Sequence, residues 1–483
     1  MGKEIIELKP TIVWRHFYDL TQIPRPSGHE KKVIGHIKNF ADAHKLDYTI
    51  DETGNIIIRK PATPGKENLP GVILQSHVDM VPQKNNDKAH NFETDPIETI
   101  IDGEWLKANK TTLGADNGIG VAAMLAVLES AEIEHGPLEA LFTVTEETGM
   151  DGAFGLKQGL LKGKILINLD SEDEGELFVG CAGGINGSAK TTYNEEAAMQ
   201  GLAYEITISG LRGGHSGLDI NLGRANANKL IGRILWSALS NFPLQITGIS
   251  GGNLRNAIPR ESRAQIIVPK KFENDFAQYF SQYCEMVKNE YRVADPHIEI
   301  TLKEVAQPKK VLTNNDALRL VGMLNAAPNG VVRMSNDMQD VVETSLNLAI
   351  VNISGGNVEF LYLLRSSVDS AKYALADQVA SLHKILGCEL EFNGDYPGWK
   401  PNPGSAILKT MVEQYKKGFG REPQVKAIHA GLECGIIGGK YPGLDMISFG
   451  PTIRHPHSPD EKVKIDTVDM FWKFLLNTLK AVC

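Results

Sequence analysis

Short apolar runs alternate with helical stretches over the first 180 residues, the pattern of a mostly parallel sheet covered by helices. Residues 71–76, 139–145 and 164–169 are near-continuous apolar segments of strand length, and each predicts a buried strand. Between the first two, residues 118–128 are apolar nearly all round, which predicts a helix buried against the sheet.

Beyond Cys181 the character changes to alternating strands mixed with amphipathic helices. Strands are predicted at 203–211 and 264–268 and helices at 225–239 and 272–291. The order then partly recurs, with helices at 316–325 and 370–386 around strands at 344–353 and 358–364, suggesting two similar β/α halves. From about Gly398 the first pattern returns: a helix at 406–418, strands at 425–429 and 445–449, and a closing helix at 467–479. The expected fold is α/β, a mixed, largely parallel sheet with flanking helices formed by residues 1–184 and 398–483. An inserted α+β domain at 185–397 interrupts it.

The length of 483 residues agrees with more than one core, and 42% hydrophobic with 23% charged residues is ordinary for a globular protein. Cys181, Cys284, Cys388, Cys434 and Cys483 are scattered without a CxxC pair, so neither a disulfide framework nor a zinc knuckle is expected. The N-terminal residues lack the basic and apolar regions of a signal peptide. No apolar run approaches the roughly 20 residues of a membrane span. The expectation is a cytoplasmic protein with no membrane partner. A net charge of -9 without a long basic cluster argues against nucleic acid as a partner. Gathered carboxylates repel unless cations neutralise them, so some of the acids are candidate metal ligands.

The polar residues that end each apolar strand carry the chemistry. The strand at 71–76 runs into His77-Val78-Asp79, that at 139–145 into Glu146-Glu147, that at 164–169 into Asp170, and that at 445–449 into a loop bearing His457. Ligands of open α/β sheets bind at the carboxyl ends of strands, so these groups should converge. Asp116, at the start of the buried helix, adds a carboxylate placed to bridge two cations and to gain from the helix dipole. Taken singly, each is an ordinary strand end, N-cap or loop histidine; taken together, the ordinary reading needs independent accidents at equivalent positions. Two imidazoles with several carboxylates suit zinc, cobalt or manganese. Five ligands with one shared supply three per metal and leave room for a bridging water of lowered pKa. If Glu147 binds metal, Glu146 stands beside it to take that water's proton. Asp79 is placed to orient the His77 ring.

These segments resemble the di-zinc aminopeptidase-like family of carboxypeptidases, deacylases and dipeptidases with a lid domain. The likeness runs over nearly the whole chain. It is carried by Gln75-Ser-His-Val-Asp-Met80, Thr112-Leu-Gly-Ala-Asp-Asn-Gly118, Thr145-Glu-Glu-Thr-Gly149, Gly213-Gly-His-Ser-Gly217, Asn253-Leu-Arg-Asn-Ala-Ile-Pro-Arg260, His429-Ala-Gly-Leu-Glu-Cys-Gly435 and Pro456-His-Ser-Pro-Asp-Glu461.

The resemblance implies one zinc ion held by His77, Asp116 and Asp170 and a second by Asp116, Glu147 and His457, with cobalt or manganese as substitutes. It implies Asp79 as the orienting carboxylate and Glu146 as general base. The inserted domain would be the lid, with His215 stabilising the oxyanion, Asn256 and Arg365 near the substrate's terminal carboxylate, and Gly431 also at the substrate. The implied activity is hydrolysis of small peptides, above all dipeptides including Xaa-His such as carnosine, by a homodimer. An N-acyl amino acid deacylase with the same centre and a catalytically silent homologue are the alternatives. Arg454-His455 precedes Pro456 where relatives carry a smaller pair, so His455 competes with His457 as a ligand.

Overall fold

The computed structural model describes residues 3–482 and divides by its contacts into two units, each considered by itself. The first takes in the chain up to Cys181, Trp399–Ala427 and the chain from Leu432 onward. The second is Ala182–Gly398 together with the short piece Ile428–Gly431.

The first unit is organised on an eight-stranded sheet in the order Asp47–Ile50, Ile56–Lys60, Leu138–Thr143, Val72–His77, Ile165–Asn168, Asp445–Ser448, Glu176–Cys181, Gln424–Ile428. Leu138–Thr143, Val72–His77, Ile165–Asn168 and Asp445–Ser448 run parallel to one another, so their carboxyl ends share one edge. The outer pairings that the structure records are antiparallel. Residues of Val72–His77 and Leu138–Thr143 are buried throughout, as continuous apolar runs in a covered parallel sheet should be.

The helix Ala115–Glu129 packs on Val72–His77 and is buried nearly all round. Small residues let it come close: a Cβ on Gly120 would stand 2.4 Å from Ser76 Oγ. Asp116 and Asn117 are not helical, with ψ of 111° at Asp116, so the regular helix begins after the candidate ligand rather than at it. A separate four-stranded sheet, in the order Ile453–Arg454, Lys462–Lys464, Trp105–Ala108, Thr99–Asp102, ties down the segment bearing His457.

The second unit is built on a nine-stranded antiparallel sheet whose inner face, with the helices on it, forms one continuous apolar core. Leu202–Ser209, helix Ala227–Asn241, Gln245–Gly251, Ser262–Val268, helix Glu273–Tyr291 and Glu299–Glu304 make a β-α-β-β-α-β set. Gly183–Thr192, helix Asn314–Ala326, Val342–Ser354, Asn357–Ser366, helix Asp369–Ile385 and Glu389–Tyr396 make another. In each set the fourth strand lies beside the first, the first beside the third and the third beside the second. The sets meet at their second strands, Gln245–Gly251 and Val342–Ser354. They are not consecutive in the chain, because the first strand of one precedes the whole of the other.

Cys181, Cys284, Cys388 and Cys434 are buried and form no disulfide; Cys483 lies outside the described residues. Among the described residues, no helix is long and apolar enough to cross a membrane.

Candidate metal centre

At the carboxyl edge of the parallel strands, ligand atoms gather into three groups: His77, Asp116 and Asp170; Asp116, Glu147 and His457; and His77, Glu146 and Glu147. Within each, the atoms lie within 4.8 Å of one another. His77 ends its strand, Glu146 and Glu147 lie in the turn after Leu138–Thr143, and Asp170 follows Ile165–Asn168. His77 Nε2 stands 3.1 Å from Asp116 Oδ1 and 3.3 Å from Asp170 Oδ1. His457 Nε2 stands 3.4 Å from the other Asp116 oxygen, Oδ2, and 2.8 Å from Glu147 Oε2. Two donors at bonding distance from a tetrahedral zinc are about 3.4 Å apart, so these separations fit a shared cation on each side of Asp116. His455 joins none of the groups. Arg454 instead donates to the Glu172 carbonyl and to Asp173.

Burial alone would push the Asp116 carboxyl up, but hydrogen bonds from His457 and His77 outweigh it and hold it below the usual carboxylate range. Glu146 has no such partner. Burial pushes its carboxyl well up; His77 opposes this, while Asp170, Glu433 and Glu147 reinforce it. A carboxylate with a raised proton affinity is suited to accept and return a proton.

Asp79 stands 3.3 Å from His77 Nδ1, as expected of an orienting carboxylate. It also accepts from the backbone N–H groups of Glu146 and Glu147 and from Ser27, tying base and ligand to the histidine. Other residues, to which sequence reasoning gave no role, brace this arrangement. Glu461, fully buried, accepts from the N–H groups of Leu113, Gly114, Ala115 and Asp116 at 2.7, 3.0, 2.7 and 3.2 Å. It thereby pins the bend that keeps Asp116 out of the helix. Arg25, also buried, donates to the carbonyls of Val78, Asp79 and Gly114. Glu433 accepts from Gln75 and Thr143 beneath the strand ends, and burial pushes its carboxyl up to about 7. Glu461 and Glu433 each stand inside a motif quoted for the resemblance. That was their one signal, since nothing local reveals a partner hundreds of residues away.

In the second unit, His215 lies on the short strand Gly214–His215, paired with Ala257–Ile258. Its Nδ1 accepts from the N–H groups of Gly217 and Leu218, which leaves the ring proton on Nε2. Burial, with Arg365 adding to it, lowers the His215 pKa and keeps the ring neutral. The Asn256 carbonyl accepts from Ser216 N, and a Cβ on Gly217 would stand 2.0 Å from the His429 carbonyl and 3.2 Å from Arg365 Nε. Gly431 belongs to the short piece Ile428–Gly431, whose Ile428 and Ala430 carbonyls accept from Ala182 N. These residues therefore share one neighbourhood within the unit.

Peptidase family M20/M25/M40 matches residues 73–481. The cytosol non-specific dipeptidase of Escherichia coli (strain K12) is 45% identical over 480 residues, 99% of this chain and 99% of that protein. The crystal structure of aminoacylhistidine dipeptidase from Vibrio alginolyticus is 48% identical, with a TM-score of 0.96 over 99% of this chain and 98% of that one. Aminopeptidase PepT from Bacillus cereus shares the fold at 16% identity, with a TM-score of 0.58 over 98% and 99% of the two chains.

Proposed function

The chain belongs to peptidase family M20/M25/M40, and on that premise we propose that it is a two-metal dipeptidase acting on small dipeptides, including Xaa-His dipeptides such as carnosine. The observation that carries this reading is the position of Asp116, whose two oxygens face different histidines, one in each ligand group. His77, Asp116 and Asp170 would hold one divalent cation, and Asp116, Glu147 and His457 the other, with zinc favoured by the mixture of imidazole and carboxylate donors. Such a pair supplies Lewis acidity, polarising the peptide carbonyl and acidifying water.

The chain's own groups do the rest. Glu146 takes the proton of the attacking water and returns it to the leaving amine. Asp79 keeps the His77 ring oriented and the Glu146 backbone in place. The inserted unit serves as the lid. In it His215, a neutral Nε2–H donor, supports the developing oxyanion, while Asn256, Arg365 and Gly431 hold the substrate. Arg365 suits the terminal carboxylate because it is buried and its Nε has no partner. A cytosolic location follows the E. coli relative, and a homodimer rests on the family resemblance alone.

Protein purified without chelator should carry about two metals per chain and hydrolyse Ala-His and carnosine. Activity confined to N-acetyl amino acids would make it a deacylase instead.

A further inference from the structure

Four strands of the second unit, Val342–Ser354, Asn357–Ser366, Gly183–Thr192 and Glu389–Tyr396, lie side by side. Ser345 is opposite Arg365, Arg365 opposite Gly184, and Gly184 opposite Tyr396, so one row crosses the sheet on a single face. Asn393 pairs with Asn186 and Tyr396 with Gly184, so the edge strand carries an extra residue there, and Gly394 within it has φ of 60°. A bulge of this kind re-aims the side chains beyond it. Here it sets Tyr396 on the row. The Tyr396 ring lies over Gly184, where a Cβ would come within 2.7 Å of it, and its hydroxyl accepts from Arg365 Nη1 at 3.1 Å.

Arg365 is only 5% exposed, its Nε has no partner, and no carboxylate of the described residues pairs with it. Nearby stand His215, a neutral ring, and His429, whose Nε2 meets Ser345 Oγ at 2.7 Å. A buried guanidinium held without an anion is costly unless a ligand supplies one.

We propose that Tyr396 is a positioning residue for the substrate's terminal carboxylate: lying across Gly184, it occupies Nη1 of Arg365 and leaves the Nε and Nη2 side of the guanidinium to grip the carboxylate with two parallel hydrogen bonds. This rests on the reading that Arg365 binds that carboxylate, and it makes a free carboxyl terminus the recognised feature of the substrate. Tyr396 acts through Arg365, so it governs binding and not the chemical step.

The test measures kcat and KM for Ala-His and for its carboxyl-terminal amide, with thermal unfolding as the check on folding. Wild type should favour the acid by about 100-fold in kcat/KM, and Arg365→Gln should erase that preference. Tyr396→Phe, which keeps the ring, should raise KM for the acid about tenfold, leave its kcat in place and leave the amide's constants unchanged. Gly184→Ala keeps the hydroxyl but displaces the ring, and should raise KM for the acid in the same sense. A wild type that treats acid and amide alike would overturn carboxylate recognition itself, and the Tyr396 role with it. If Arg365→Gln erases the preference while Tyr396→Phe behaves as wild type, recognition stands and the Tyr396 role falls. A drop in kcat on both substrates in Tyr396→Phe would also overturn it.

Discussion

In the first unit, Asp79, Asp116, Glu146, Glu147, Asp170, Glu433 and Glu461 crowd around two histidines and the guanidinium of Arg25, whereas in the second unit Arg365 lies buried and no carboxylate of the described residues pairs with it. One neighbourhood has too few cations and the other too few anions. Buried charge is expensive when uncompensated, and a fold keeps it where a ligand supplies the balance. On the proposed reading, the difference separates two tasks: the acidic site would gather metal and move protons, and Arg365 would read the substrate's negative end.

Substitutions test this division at decreasing cost. Glu146→Gln should lower kcat by about 10³-fold with metal content unchanged, measured by steady-state kinetics beside elemental analysis. Loss of metal along with activity would make Glu146 a ligand rather than a base. His215→Ala should lower kcat by about 10²-fold and leave metal affinity alone, since in the proposed mechanism its Nε2–H supports the oxyanion and it belongs to none of the ligand groups. Glu461→Ala should do the reverse. With the residues 113–116 N–H groups stripped of their acceptor, metal affinity of the apoprotein, titrated by calorimetry, should fall roughly 10- to 100-fold.

The smallest effect concerns acid. His383 is buried in the second unit beside the Tyr362 hydroxyl, and burial lowers its pKa to about 4. Its folded value lies below its unfolded value, so the unfolded chain binds the extra proton. The stability it contributes is complete above the ordinary histidine pKa of about 6.5 and is lost progressively as pH falls towards 4. At about pH 5.5 the loss should be roughly 1 kcal/mol in urea unfolding, and His383→Gln should flatten that dependence. An unaltered slope in the variant would mean that other groups set it.

Strand ends were legible in the sequence because continuous apolar runs announce buried strands, and the residues that stop them stand at a common edge. His77, Glu146, Glu147 and Asp170 were placed on that logic, and the structure gathers them with Asp116 and His457. The conformation of Asp116 was not legible. Its segment has the apolar pattern of a helix, and only the distant Glu461 carboxylate draws the backbone out of it. Arg25, Gly184 and Tyr396 stayed silent for the same reason: each depends on partners set by sheet order or by long-range approach, and neither shows in local periodicity. The nested order of the two β-α-β-β-α-β sets was hidden too, because the apolar pattern predicts no strand at residues 183–192, which serve as the first strand of one set.

Ile428–Gly431 belongs by contact to a unit whose other residues end at Gly398. This tetrapeptide brings His429 to Ser345 and fastens Ala182, so the inserted unit is not a self-contained cassette. A gene fragment encoding residues 182–398 would omit one strap of its own wall. Anyone transplanting this module into another enzyme must carry the strap along, as a second, separate graft.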